Sequence, residues 1–153
     1  MKYKNLLILV GSVIAFIALV GYNYFVAQRN IQNTQASPLS VSLASYPDSV
    51  SVGHNSTFIW DVDASPDLST PHTAIFWGYT ASPSALTKLD SPEAVGYPFR
   101  QDDYWQGSFK LPDTFTVSIK FEKPGVVFFR AYAKVGNEHL WSEEKSLVVK
   151  PVK

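Results

Sequence analysis

The fold is decided by residues 115–121, which read FTVSIKF. Apolar and polar side chains alternate strictly along this stretch, with four apolar residues on one face and three polar residues on the other. Successive side chains of a β-strand point to opposite faces of the sheet, so this period of two indicates a strand with one buried face. The stretch therefore predicts a strand that directs Phe115, Val117, Ile119 and Phe121 into a core.

The same alternation recurs on both sides of this stretch. Residues 57–62 place Phe58, Trp60 and Val62 on one face, and residues 126–135 place Arg130 and Lys134 on the face opposite the core. In the second segment the predicted core residues are Val127, Phe129, Ala131, Ala133 and Val135. Shorter strands are predicted at 41–44, 49–52, 73–79 and 146–150. About seven strands within residues 39–153 predict an all-β fold, an antiparallel two-sheet sandwich.

The composition excludes several classes of protein. The 153 residues include no cysteine, which rules out a disulfide scaffold, a thiolate metal site, a cysteine nucleophile and a lipid-modified cysteine. Residues 1–37 carry Lys2, Lys4 and Arg29 with no acid, a charge of +3, so the other ten bases and all 13 acids give residues 38–153 a charge of −3. Because that part is acidic and has no basic cluster, no nucleic-acid partner is expected.

The N-terminal segment has the character of a membrane span. Residues 6–21 are all apolar or small, and the run continues to Ala27 with Asn23 as its one interruption. A helix over 6–27 would be about 33 Å long, enough for a hydrocarbon core of roughly 30 Å. Lys2 and Lys4 precede the run, which predicts a cytoplasmic stub at residues 1–5. A cleaved signal peptide is the alternative, although no site near the end of the run has small residues at both required positions.

Residues 28–38 are polar and predict a flexible linker between the signal anchor at 6–27 and the sandwich at 39–153. The sequence thus predicts a single-pass cell-membrane protein that contacts lipid through residues 6–27. Its N-terminus is expected in the cytoplasm, and its C-terminal domain is expected outside the cell or in the periplasm. A cysteine-free extracytoplasmic domain favours a bacterial or other prokaryotic origin.

A resemblance to a known family enters at the last predicted hairpin. Residues 123–133 (KPGVVFFRAYA), followed by Gly136 and by Trp141-Ser142, resemble the final hairpin of fibronectin type III and related immunoglobulin-like modules. Residues 51–53 (SVG), followed by 58–60 (FIW), are similar to the first two strands of those modules. The resemblance implies a spacer, adhesion or partner-binding module, and it implies no catalysis.

The titratable residues form no pattern typical of an active site. His54, His72 and His139 are far apart in the sequence, and neither HExxH nor GxSxG occurs, so no catalytic, cofactor or metal residues are predicted. Asp61, Asp63 and Asp67 have a spacing that suits Ca²⁺, but the run lacks the glycine and the final glutamate of an EF-hand loop. A solvated strand end is the preferred interpretation. Residues 55–57 (NST) match the N-glycosylation pattern, which carries little weight in a prokaryote.

An aromatic segment at residues 79–105 is the candidate recognition surface. Its last part holds two carboxylates, Asp102 and Asp103, among aromatic rings and an arginine, and the candidate recognition residues are Tyr97, Phe99, Arg100, Tyr104 and Trp105. Such rings stack on sugars or anchor protein partners. They also fill cores and hold down long loops, so packing is the competing interpretation.

These observations predict a membrane-anchored extracytoplasmic sandwich that acts as a binding, adhesion or structural module and is not an enzyme. Its partner would be an extracytoplasmic protein or a glycan. Two alternatives stay open. One is a pilin-like subunit of a surface assembly, although no Gly-Phe processing site precedes the apolar run. The other is a carbohydrate-binding domain that uses the aromatic segment at residues 97–105.

Overall fold

The computed structural model describes residues 38–82 and 85–152. The predicted stub 1–5, the predicted anchor 6–27 and the predicted linker 28–38, apart from Pro38, lie outside the described residues. The described part forms eleven strands and one short helix: β1 (Ser40–Ser45), β2 (Ser49–Ser51), β3 (Asn55–Asp63), β4 (Ser69–Thr70), β5 (His72–Gly78), α1 (Pro92–Val95), β6 (Phe99–Arg100), β7 (Phe109–Lys110), β8 (Asp113–Lys120), β9 (Gly125–Val135), β10 (Glu138–Trp141) and β11 (Lys145–Lys150). Within this part, the one helix has four residues, and no helix has the length and the apolar character that a membrane span needs.

Two main sheets make up the sandwich, and β4 and β7 form a separate two-stranded antiparallel sheet. One has the strand order β1-β3-β8, and the other has the order β2-β11-β9-β5-β6, with β10 also paired to β9. The pairing is antiparallel except between β2 and β11, which run parallel. The chain alternates between the two main sheets: it changes sheet after β1, after β2, between β3 and β5, between β6 and β8, and between β8 and β9. This is the strand arrangement of immunoglobulin-like sandwiches. The predicted all-β sandwich is therefore confirmed for the folded domain that begins at residue 39, which we call the head.

All seven predicted strands are present, and their ends lie within two residues of the predicted ones. The sequence did not predict β4, β6, β7 or β10. Three of these have two residues, too few to show a period of two, and in the four residues of β10 (EHLW) polar and apolar side chains do not alternate. The turn between β9 and β10 depends on Gly136, whose φ of +58° is costly for any residue with a side chain.

The main core lies between the two sheets. Phe58, Trp60 and Val62 of β3 are fully buried, and the predicted inward residues of β8 and β9 are buried with them. The rings of Phe58 and Phe129 meet edge to face at 5.0 Å, which joins the two sheets directly. The Trp60 indole donates a 2.8 Å hydrogen bond to the Thr73 hydroxyl, so the one polar group of this ring is satisfied.

A second core covers the outer face of the larger sheet. On β9 the face opposite the main core is also buried, with Arg130 8% and Tyr132 1% exposed. Tyr132 packs there with Phe76 of β5, with Val95 of α1 and with Tyr97. The layer over this face is made by residues 79–82 and 85–105, which we call the cover segment. Both faces of β5 and of the middle of β9 are therefore largely buried, whereas Val126 near the start of β9 stays 45% exposed. The predicted recognition residues lie in or at the end of the covering layer.

Candidate functional site

The cover segment is shaped by a one-turn helix between two strands. Pro92 begins α1, where its missing N–H costs no helical hydrogen bond, and Gly96, with φ of +84°, ends it. Pro92 and Val95 are buried against the sheet. The chain then returns as β6, which pairs with the end of β5. The segment is thus fixed to the sheet by apolar packing and by a strand pairing.

A buried polar cluster, which we call the latch, joins the cover segment by hydrogen bonds to Arg130 of β9 and to Glu144. It consists of Tyr97, Arg130 and Glu144. The Tyr97 hydroxyl donates to the Glu144 carboxylate, which also accepts a 2.7 Å hydrogen bond from the Ser82 backbone N–H. Arg130 donates to the Tyr97 oxygen at 3.3 Å and to the Ser142 carbonyl at 2.9 Å, and it lies 3.9 Å from Glu144. One carboxylate therefore holds the cover segment at two points.

Three of the five candidate recognition residues pack inward. Tyr97 belongs to the latch. The ring of Tyr104 contacts the rings of Trp60 and Phe115, and its hydroxyl donates to the Thr116 carbonyl at 3.2 Å. The guanidinium carbon of Arg100 lies 3.7 Å from the centroid of the Trp105 ring, and the His72 ring stacks on the same indole. These rings have structural contacts, so alanine at Tyr104 or Trp105 would disturb folding as well as any binding.

The other two candidates are more accessible. Phe99 stacks on Trp77 at 4.3 Å between ring centroids but keeps 44% of its surface exposed. Arg100 forms an ion pair with Asp102 and remains one-third exposed at its side chain. Both residues belong to β6, an edge strand of the larger sheet. A partner approaching the head can therefore reach Phe99 and Arg100 directly.

An open cleft of about 410 Å³ lies beside these two residues. It is lined by Phe76, Pro92, Glu93, Tyr97, Pro98, Phe99, Arg100 and Asp102. The structure thus brings Tyr97, Phe99 and Arg100 together at one site, whereas Tyr104 and Trp105 are outside its lining. Glu93 is a site residue that the sequence analysis missed. Its position directly after Pro92, at the start of a helix, was the local signal that could have identified it.

The cleft presents both signs of charge around apolar walls. Hydrogen bonds from the Glu93 backbone N–H and from the Ser91 hydroxyl lower the pKa of the Glu93 carboxyl, so Glu93 is ionised at neutral pH. Asp102 is already paired with Arg100. The Phe76 and Phe99 rings and two prolines supply the apolar surface. This combination suits a ligand with an apolar face and polar edges, such as a peptide segment or a sugar.

Two of the histidines and one of the aspartates weighed in the sequence have structural partners. The Nδ1 atom of His139 lies 2.8 Å from the Tyr132 hydroxyl, and Nδ1 of His72 is hydrogen-bonded to the Trp105 carbonyl. Asp61 accepts a hydrogen bond from the Thr114 hydroxyl at 2.6 Å. Within residues 38–82 and 85–152, no three histidine, aspartate or glutamate side chains converge to hold a metal ion.

The tyrosines of the second core give a prediction for alkaline pH. Burial raises the pKa of Tyr97, and its hydrogen bond to the Glu144 carboxylate raises it further, while burial and the Glu93 charge raise the pKa of Tyr132. Both pKa values are then higher in the folded chain than in the unfolded chain, where the pKa of tyrosine is about 10. The stability these two groups contribute is therefore complete below about pH 10 and is lost as the pH rises further.

We expect the tyrosinate absorbance of these two residues to appear only together with unfolding. The measurement is an absorbance titration beside near-ultraviolet circular dichroism, which follows the tertiary packing. The variants Tyr97→Phe and Tyr132→Phe should each show a shallower loss of stability with rising pH. Complete titration of every tyrosine while the tertiary signal stays native would contradict this prediction.

Comparison with known proteins found no matching protein-family model and no matching curated protein. Among solved structures, the chain is similar to the PKD domain of an M14-like peptidase from a Thermoplasmatales archaeon, with 16% identity, a TM-score of 0.45 and coverage of 76% of this chain and 97% of that domain. It is also similar to the CARDB domain of a Pyrococcus furiosus protein, with 13% identity, a TM-score of 0.45 and coverage of 78% and 97%.

A third similar structure is a β-glucosidase from Listeria innocua in complex with glucose, with 13% identity and a TM-score of 0.41. The match covers 74% of this chain and only 16% of that enzyme. At these identities and scores the similarities do not bear on function. The immunoglobulin-like assignment depends on the strand order and register of the chain itself.

Proposed function

We propose that this protein is a membrane-anchored extracytoplasmic binding module and not an enzyme. Residues 6–27 would form an uncleaved anchor, with the N-terminus in the cytoplasm and the sandwich outside the cell or in the periplasm. The apolar run, the basic residues before it and the polar linker support this arrangement. The first strand of the sandwich begins at Ser40, two residues after the end of the proposed linker at residue 38.

The cleft beside Phe99 is the observation that carries the binding role. The latch and the second core hold its walls in place, so a partner would meet a surface that is already ordered, and little conformational entropy would be lost on binding. Phe99 and Arg100 are of the residue types that anchor protein interfaces. Glu93 and Asp102 add two carboxylates to the lining of the cleft. The proposed partner is an extended segment of an extracytoplasmic protein.

A glycan is the second candidate partner. The observation that favours it is the half-exposed Phe99 ring, which lies close to two carboxylates and a guanidinium, since sugars stack on aromatic rings and bond to such groups at their edges. Phe99→Ala is the suitable variant because Phe99 lies at an edge strand and is partly exposed. The Phe99→Ala variant should no longer sediment together with an insoluble polysaccharide that binds the unaltered protein. Its unfolding transition should remain cooperative.

The topology can be tested on the full chain. We expect the protein to remain in the membrane pellet after alkaline carbonate extraction and to lose its head when protease is added outside intact spheroplasts. N-terminal sequencing of the extracted protein should begin at Met1 or Lys2, whereas a pilin-like subunit or a cleaved signal peptide would give a shortened start. Recovery in the soluble fraction, or digestion only after lysis, would overturn the proposed topology.

The binding role can be tested with a photo-crosslinking residue placed at Phe99 in intact cells. The matched control places the same residue at Ser118, which is exposed on β8 of the other sheet. We expect a discrete adduct from position 99 that is absent from position 118 and is lost when Glu93→Gln and Arg100→Gln are added. Identical adducts at both positions would show that the cleft has no specific partner.

A further inference from the structure

The cover segment leaves one end of the outer face of the larger sheet open. Val126 of β9 and Val148 of β11 lie directly opposite each other there and remain 45% and 46% exposed. Phe128, the next residue of β9 on this face, is partly buried against the edge of the second core. These three apolar side chains, Val126, Phe128 and Val148, form one patch on two neighbouring strands. We call it the valine strip.

The outer face of the smaller sheet shows what a solvated face looks like in this domain. On β8 its residues are Thr114, Thr116, Ser118 and Lys120, and all four are exposed and polar. An antiparallel sheet with one face in water normally alternates in this way, with polar residues outward. The valine strip departs from that pattern on both of its strands. Adjacent exposed apolar residues of this kind mark an interaction surface more often than a single exposed residue does.

The valine strip continues into the cleft beside Phe99. Gly78 of β5 lies opposite Phe128 on β9, and the exposed Pro98 packs against Gly78. A Cβ atom at Gly78 would come within 2.8 Å of the Pro98 ring, so this close approach requires a glycine. Pro98 is also part of the cleft lining. The strip and the cleft are therefore adjacent parts of one surface on the larger sheet.

The charges beside the cleft favour a basic partner. The lining residues Arg100 and Asp102 are paired with each other, whereas the ionised Glu93 belongs to no ion pair among the described residues. The cover segment as a whole has two bases and four acids, a charge of −2. A lysine or arginine of the partner would therefore find its opposite charge at the cleft end of this surface.

The valine strip favours a protein over a glycan. Glycans are held by aromatic rings and by polar groups, and the two half-exposed valines offer neither. The aliphatic side chains of a protein segment bury such a surface without leaving polar groups unpaired. A partner that covers both the cleft and the strip is thus expected to be a polypeptide.

We infer that the partner of the cleft is an extended protein segment that also crosses the valine strip. Its apolar side chains cover Val126 and Val148, and a lysine or arginine of the segment lies beside Glu93. This inference rests on the binding role proposed above and narrows the partner to a protein. Val148 and Phe99 are separated by three strand spacings across the sheet and three residues along it. At about 4.8 Å between strands and about 3.3 Å per residue, the separation is roughly 17 Å, about five residues of an extended chain.

The test uses the full chain in intact cells and compares three positions of the photo-crosslinking residue. Position 99 reports on the cleft, position 148 on the valine strip, and position 118 on the other sheet. We expect positions 99 and 148 to capture one and the same protein, identified by mass spectrometry of both adducts, and position 118 to capture none. The crosslinked residues of that protein should lie about five apart in a single segment, with a lysine or arginine near the residue joined to position 99.

Substitutions on the valine strip give an independent measurement. With the photo-crosslinking residue kept at position 99, adding Val126→Ser and Val148→Ser should lower the adduct yield severalfold. Leu89→Ser is the matched control, because Leu89 is 88% exposed but lies outside both the strip and the cleft lining, and it should leave the yield unchanged. Near-ultraviolet circular dichroism of each purified variant checks that the sandwich is intact.

The outcomes separate the two proposals. Identical adducts at positions 99 and 118 would remove the binding role itself, and this inference with it. A specific adduct at position 99 without one at position 148, or an unchanged yield after Val126→Ser and Val148→Ser, would leave the binding role standing and refute the contact with the strip. An adduct at position 148 with the mass of two copies of this chain, or a diffuse polysaccharide adduct there, would also refute it.

Discussion

Replacing Trp60 with alanine is expected to lower the free energy of unfolding by about 3–5 kcal/mol, a large part of the total for a domain of this size. The Trp60 ring is fully buried in the main core and stacks on Phe115 at 5.7 Å between ring centroids. Its removal leaves a cavity that neighbours on rigid strands cannot fill. The change also deprives the Thr73 hydroxyl of the hydrogen bond from the indole.

The measurement is denaturant unfolding of the full chain in detergent, followed by near-ultraviolet circular dichroism. Ile59→Ala is the matched control, because Ile59 directly precedes Trp60 on β3 and lies on the opposite, partly exposed face. We expect a much smaller change for Ile59→Ala. Equal losses from the two variants would mean that the alternation along β3 does not decide which side chains hold the sheets together.

The alternation of residues sufficed to predict the sandwich because burial on one face imposes a local pattern. From Phe58 to Val62 in β3 and from Phe115 to Ile119 in β8, apolar residues occupy every second position, and those residues are buried between the sheets. The second core leaves no such pattern. Arg130 and Tyr132 occupy positions that alternate with the main-core residues of β9, so they suggested an ordinary outer face. They are buried because a segment distant in sequence covers them.

The cleft could be predicted only in part for the same reason. Aromatic residues are used both in cores and at interfaces, so the sequence could not separate Phe99, which is partly exposed, from Tyr97, which is buried. The latch joins residues 47 positions apart in the chain, Tyr97 and Glu144. The alternation placed Arg130 on the outer face of β9, where an arginine is ordinarily solvated, so nothing local to β9 indicated the covering segment or the acidic partner.

Because Glu144 belongs to the latch, Glu144→Leu is the second substitution from which we expect a large loss of stability. The variant is predicted to lower the free energy of unfolding by about 3 kcal/mol, since removing one partner of a buried ion pair leaves the other charge poorly compensated. The side chains of Arg130 and Glu144 are only 10% and 18% exposed. The Ser82 N–H and the Tyr97 hydroxyl would lose their acceptor as well. We expect faster hydrogen exchange and earlier proteolysis in the cover segment than in β3 or β8.

A double-mutant cycle separates the pair from simple loss of packing. Arg130→Met together with Glu144→Leu removes both charges and keeps side chains of similar bulk, so its destabilisation should be clearly smaller than the sum of the two single changes. Glu144→Gln is the conservative comparison, because the amide oxygen can still accept from the Ser82 N–H and the Tyr97 hydroxyl. If the two single effects simply add, Arg130 and Glu144 do not act as a unit. The cover segment would then be held by apolar packing, by the β5–β6 pairing and by separate hydrogen bonds, with no contribution from coupling between Arg130 and Glu144.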